Sequence, residues 1–115
     1  MIEEILNILK KININSSYQV RPPIKPSGVS ISFHFFNERY VLKGDGDGRY
    51  LAKDLQVDIF STRPALDTKN EIRKAIEATK KYMFNYADER PEDISGQRLY
   101  HTVIKFTEKG VKIDG

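Results

Sequence analysis

The chain contains no cysteine, which excludes a disulfide framework and any thiolate metal site and suits a reducing compartment. It also lacks a membrane or secretory signature at its start. The opening stretch MIEEILNILKK is acidic where a secretory signal is basic, and its apolar residues are spaced rather than continuous. Neither a signal peptide nor a transmembrane span is expected there. No internal repeat or low-complexity segment is evident. Charge of one sign is scarce as well: 19 basic and 16 acidic residues are well mixed, leaving +3. The pI near 9.1 therefore reflects a small excess rather than a basic patch, and nucleic-acid binding is not implied. At 115 residues the chain is long enough for one domain with a real core and too short for two ordinary ones.

Catalytic and ligand-binding vocabulary is equally sparse. His34 and His101 fall on expected strands without an H-x-H or H-x3-H partner, so each reads as a satisfied or exposed strand histidine rather than a metal ligand. Ser30, Ser32 and Ser61 lack a nucleophile-elbow context, and no paired carboxylates stand in a setting that would raise one pKa. The segment GDGDG at 44–48 offers Asp45 and Asp47 as hard oxygen ligands, yet Arg49 and Gln56 stand where a calcium loop needs an oxygen ligand and a bidentate Glu. It also lacks the lysine-serine ending of a phosphate loop, and its acids would repel phosphate. A flexible hairpin loop is the expectation. No enzyme activity, cofactor or metal is expected.

What is present is amphipathic. Residues 67–86, DTKNEIRKAIEATKKYMFNY, place Ile72, Ile76, Thr79, Met83 and Tyr86 at steps of four, three, four and three, predicting a long helix with that face buried. Thr68 and Glu71 fit an S/T-x-x-E capping box, with Asp67 a competing N-cap. The opposite side carries Lys69, Arg73, Lys74, Lys80 and Lys81 among Glu71 and Glu77. Arg73–Glu77 and Glu77–Lys81 pairs make it a solvated, salt-bridged face rather than a phosphate-binding track. A shorter helix opens the chain, with Ile2, Ile5, Leu6, Leu9 and Ile12 as its stripe and Glu3, Glu4, Lys10 and Lys11 matched to its dipole.

Strands fill the remainder. A short edge strand is expected around 18–21, before a break at Pro22, Pro23, Pro26 and Gly28. Val29, Ile31, Phe33 and Phe35 alternate with Ser30, Ser32 and His34 in a half-buried strand, and 38–43 forms a second strand or a hairpin arm. Residues 50–61, YLAKDLQVDIFS, predict a central strand antiparallel to 29–36 and ended by Arg63-Pro64. After the helix, ADERPEDISGQ reads as a surface loop, 98–107 as an interior strand, and Val111 with Ile113 as a short last strand. The fold class is therefore α+β, with a largely antiparallel sheet of four to five strands and two helices in the order α-β-β-β-α-β(-β). Phe33, Phe35, Phe36, Tyr40 and Phe60, with Tyr50 and Tyr100, place aromatic area on both sides of such a sheet. Helices cover one side, so either loops or another subunit cover the other, and Phe36 and Phe60 are candidates for a subunit contact there.

The short helix MIEEILNILKK, the strand LQVDIFST, the helix DTKNEIRKAIEATKKYMF and the last strand HTVIKFTE together resemble the small tail-completion, or tail-terminator, proteins of long-tailed bacteriophages and prophages. The resemblance spans nearly the whole chain and contains no catalytic signature. It implies a non-enzymatic structural protein made in the bacterial host cytoplasm and placed at the virion head-tail junction. Such a protein forms a homo-oligomeric ring, commonly a hexamer, that caps the tail tube and meets the head connector. It implies no membrane partner, and DNA only as passing genome. By position, the segment 21–28 with Pro22 and Pro23, and the loop 43–49 with Lys43, Asp45, Asp47 and Arg49, become candidate contacts with neighbours. The competing class is a small nucleic-acid-binding or other protein-interaction module of α+β fold.

Overall fold

The protein's computed structural model describes residues 2–20, 28–42, 49–94, 96–109 and 111–112. Its elements in chain order are α1 (Ile2–Ile12), β1 (Ser16–Tyr18), β2 (Val29–Leu42), β3 (Arg49–Ser61), α2 (Leu66–Glu77), β4 (Tyr82–Ile94), β5 (Gln97–Glu108) and β6 (Val111–Lys112). The strands form one sheet in the order β1-β2-β3-β5-β4, with β6 pairing β3. Only β1 runs parallel to its neighbour. This is the expected α+β class with its largely antiparallel sheet.

Both helices lie on one face. Strand alternation sends Ile31, Phe33, Leu55, Val57, Ile59, Ile104 and Phe106 to that side, where Ile5 and Leu9 of α1 and Ile72 and Ile76 of α2 complete a closed core. Phe33 and Phe35 meet edge to face, and Tyr18 tilts against both. As expected, β3 pairs antiparallel with β2, and β5 is interior, between β3 and β4. The pieces 29–36 and 38–43 merge into β2 across a bulge between Phe36 and Arg39, where Asn37 takes φ 56°. Asp54 holds this bend by accepting from Asn37 Nδ2 at 3.0 Å and Arg39 Nη1 at 2.8 Å. The first edge strand sits at Ser16–Tyr18 rather than 18–21, and Gln19 at φ 65° turns the chain away after it. Of the expected last strand, Val111 belongs to β6, and Ile113 lies outside the described residues.

The long helix expected over 67–86 is half helix and half strand. Ile72 and Ile76 are buried as predicted, but α2 stops at Glu77. The Thr79 hydroxyl donates to the Ile76 carbonyl at 2.7 Å, and Lys80 at φ 65° reverses the chain. The following YMFNYA is rich in aromatics that suit a strand, so Tyr82 is buried while Met83 and Tyr86 are exposed on β4. The polar stretch ADERPEDISGQ, expected as a loop, supplies the rest of β4, the turn and the start of β5. Pro91 is tolerated because β4 is an edge strand. The capping box is not used either. Ala65 is the N-cap, with no side-chain cap from Thr68 or Asp67. Glu89 of β4 instead brings a carboxylate oxygen to the Ala65 N–H at 3.2 Å, and the same oxygen accepts from the Thr102 hydroxyl at 3.0 Å.

Candidate functional site

The sheet face without helices is built by the other set of alternating residues: His34 and Phe36 from β2, Gln56, Asp58 and Phe60 from β3, His101 and Lys105 from β5, and Tyr86, Asp88, Arg90 and Glu92 from β4. Its centre is His101, whose Nε2 lies 2.8 Å from Asp58 Oδ1 and whose Nδ1 lies 2.9 Å from Glu92 Oε1. Gln56 Nε2 donates to both oxygens of Asp58 at 3.0 and 3.2 Å. His34 Nδ1 stands 3.9 Å from Asp58. Phe60 stacks on His101 with centroids 4.3 Å apart and planes within 15°. Both imidazole nitrogens lie within hydrogen-bond distance of a carboxylate, so His101 is engaged on both sides. The cluster is a closed hydrogen-bonded network, and the expectation of a satisfied strand histidine at His101 matches it.

Charge on this face is compensated locally. Lys105 Nζ lies 5.3 Å from the Phe36 ring centre and 5.2 Å from that of Tyr86. Arg90 pairs with Asp88, holding the Asp88 carboxyl below the usual carboxylate range while Asp88 raises the Arg90 guanidinium. Above the Tyr86, Arg90, His101 and Lys105 side chains lies a shallow groove of about 250 Å³. A second groove of about 360 Å³ runs along Ile2, Tyr18, Phe35 and Phe36, and the Lys53–Glu38 ion pair at 3.4 Å joins two of its lining residues. Among the described residues no group of three or more His, Asp or Glu is placed to hold a metal ion, and no helix is long and apolar enough to cross a membrane.

On the helical side, Tyr82 and Glu108 face each other across the β4–β5 ladder. Burial, reinforced by the Glu108 charge, raises the Tyr82 phenol well above its ordinary value. Burial likewise raises the Glu108 carboxyl, opposed by the Lys53 backbone N–H, which donates to it at 3.2 Å. The basic side of α2 is tied down by Arg73, which pairs with Glu77 at 3.2 Å and lies 3.9 Å over the Phe84 ring. Lys81, expected to pair with Glu77, reaches Glu4 of α1 at 3.1 Å instead.

Of the candidate contact residues, Phe36 and Phe60 do share the helix-free face. Arg49 opens β3 opposite Leu42. Pro22, Pro23, Lys43, Asp45 and Asp47 lie outside the described residues. Sequence reasoning missed the Asp58–His101–Glu92 bridge because Glu92 was assigned to a loop. The signal that finds it is parity, since Asp58 and His101 occupy the polar positions of two strands that the apolar pattern already makes neighbours.

Among the described residues these features define a two-layer α+β protein with one helix-covered face, one polar face, and β1 and β4 at the sheet edges. No family model matches the chain, and no curated protein matches it. Among solved structures, its fold is similar to that of a chain from the virion of a native gene transfer agent particle. The TM-score is 0.54 at 13% identity, covering 97% of this chain and 92% of the other. At that identity the likeness is one of fold.

Proposed function

We propose that this chain is a non-enzymatic structural protein of a phage-like particle. It acts at the head-tail junction as a homo-oligomeric ring that caps the tail tube and joins it to the head connector. The observation that carries the reading is the fold shared along nearly the entire length with a chain of a phage-like virion. It is supported by the resemblance of MIEEILNILKK, LQVDIFST and HTVIKFTE to tail-completion proteins. On the polar face, His101 and its two carboxylates are bonded to one another, which is compatible with a structural role. The partners are further copies of this chain, the tail-tube protein and the connector, with DNA only passing through.

The test is assembly. Deleting residues 44–48 is expected to leave the circular dichroism spectrum and melting point of the protein nearly unchanged while lowering the fraction of tail tubes that join heads in electron micrographs. Normal joining after the deletion would remove the loop from the mechanism. Purified protein that binds neither tail tubes nor connectors would refute the proposed function. Steeply salt-dependent binding to DNA would favour the nucleic-acid module instead.

A further inference from the structure

The two edge strands of the sheet, β1 and β4, which pair on one side only among the described residues, match each other. Among the described residues seven large apolar side chains are exposed, and four of them flank these edges: Ile14 (76% exposed) and Val20 (68%) beside β1, Met83 (51%) and Tyr86 (44%) on β4. The directions agree too. β1 is parallel to β2, and each following neighbour in the sheet is antiparallel to the last, so β4 runs antiparallel to β1. Register places them level. Ser16 aligns through Ile31, Ile59 and Thr102 with Glu89, and Tyr18 aligns through Phe33, Val57 and Ile104 with Ala87.

Length and charge complete the match. The unbroken part of β4 is bounded by the bulge at Phe84/Tyr86 and by Pro91, which has no N–H to give. The three residues of β1 stand level with its middle. Beyond Glu89 the edge carries Arg90, paired with Asp88, then Glu92, bonded to His101, and the exposed Asp93, whose partner in the chain is the equally exposed Arg98 at 3.4 Å. On the β1 side, three residues before the strand, α1 ends with exposed Lys10 and Lys11 in its last turn.

We infer that β4 of one copy pairs with β1 of the next, continuing the sheet from subunit to subunit with all helices on one side. This rests on the ring reading above and names its contact surfaces. Val20 then lies toward Met83 and Tyr86 of the neighbour, and the α1 lysines toward its Asp93. The contact is head-to-tail, so it generates a ring when the rotation closes. A three-residue ladder is weak by itself, and closure supplies the effective concentration that holds it.

The experiment uses mass photometry and sedimentation velocity on the full chain, on Met83→Arg, on Val20→Arg and on their mixture. Both positions are exposed, so unchanged melting curves serve as the folding control. Wild type is expected to form a closed oligomer and each variant to remain monomeric. Their equimolar mixture should form no closed oligomer, because only one intact β1 edge and one intact β4 edge remain and a single open contact lacks the help of closure. A second series changes charge alone: Lys11→Glu should weaken assembly by about threefold, and adding Asp93→Lys to the same chain should restore it. Variants that still form the wild-type oligomer, a mixture that closes into it, or a charge pair that fails to compensate would each overturn the edge assignment while leaving the ring intact. Wild-type protein that stays monomeric even with tail tubes would overturn both.

Discussion

Replacing Glu89 by alanine is expected to destabilise the protein more than any change in the apparent capping box of α2. In the structure one Glu89 oxygen receives the Ala65 N–H and the Thr102 hydroxyl, and Thr102 is fully buried. Removing the carboxylate takes one acceptor from a helix start and leaves a buried hydroxyl unpaired. A net hydrogen bond is worth about 0.5–1.5 kcal/mol, and an unsatisfied buried group costs about 1–3 kcal/mol. Loss of the favourable charge near the helix N-terminus adds about 0.3–1 kcal/mol. Glu89 is itself exposed, which screens the charge and lets water replace part of the loss, so about 1–2 kcal/mol is expected for Glu89→Ala. Glu89→Gln, which keeps an acceptor oxygen, should cost less than about 1 kcal/mol. Thr68→Ala should cost less than about 0.5 kcal/mol, since Thr68 makes no cap. Urea denaturation with constant m-value measures all three. In a double-mutant cycle, Thr102→Val should cost less in the Glu89→Ala background than in wild type. A Thr68→Ala loss larger than that of Glu89→Ala would refute the cross-strand cap and restore the local one.

Ile76→Asp, which buries a charge in the core beneath α2, should unfold the domain. Lys80→Asp, exposed and in a left-handed conformation that Asp accepts, should barely move the melting point. Glu108→Gln tests the buried carboxyl, whose folded pKa lies above its ordinary value. Its contribution is fully present below the ordinary glutamate range and is lost as pH rises through the raised value. The variant should therefore gain on wild type from about pH 3 to about pH 7 in urea midpoints, and a constant or reversed gap would contradict this. At Gly28, φ is +77° and a methyl group would press into the Thr62 hydroxyl, while Thr62 N–H donates to the Gly28 carbonyl at 2.9 Å. Gly28→Ala should cost about 1–3 kcal/mol, and adding Thr62→Ala should recover part of it.

How far the sequence could be read depended on how local each determinant was. The β2, β3 and β5 alternations were legible because each strand has one apolar face. Ile72 and Ile76 were legible because they lie within one helical stretch. The failure came at 78–94, where steps of three and four continued by coincidence through Thr79, Met83 and Tyr86. What ends the helix is the Thr79 hydroxyl on Ile76 and the left-handed Lys80, neither visible to a periodicity count. The polar run 87–97 looked like a loop because its partner, β5, and its place at the sheet edge could not be known beforehand. Glu89 illustrates the same limit, since a cap supplied from another strand leaves no local motif. The bridge at His101 was lost with the strand that carries Glu92.

The polar face bears on where copies of the chain can meet. Burying Asp58 beside His101 costs desolvation that its hydrogen bonds only partly return, so a purely structural sheet would be served as well by apolar side chains there. An apolar second face, however, would stack on any other sheet and bring copies together face to face, in competition with a ring. With Asp58, Glu92, Gln56 and both histidines on that side, face-to-face stacking would have to strip water from groups already bonded to each other and gain nothing new. Among the described residues, β1 and the segment of β4 between the bulge and Pro91 stand level and lack that protection. Under the proposed ring, a contact between two different edges is of the kind that closes, whereas stacking of like faces gives pairs.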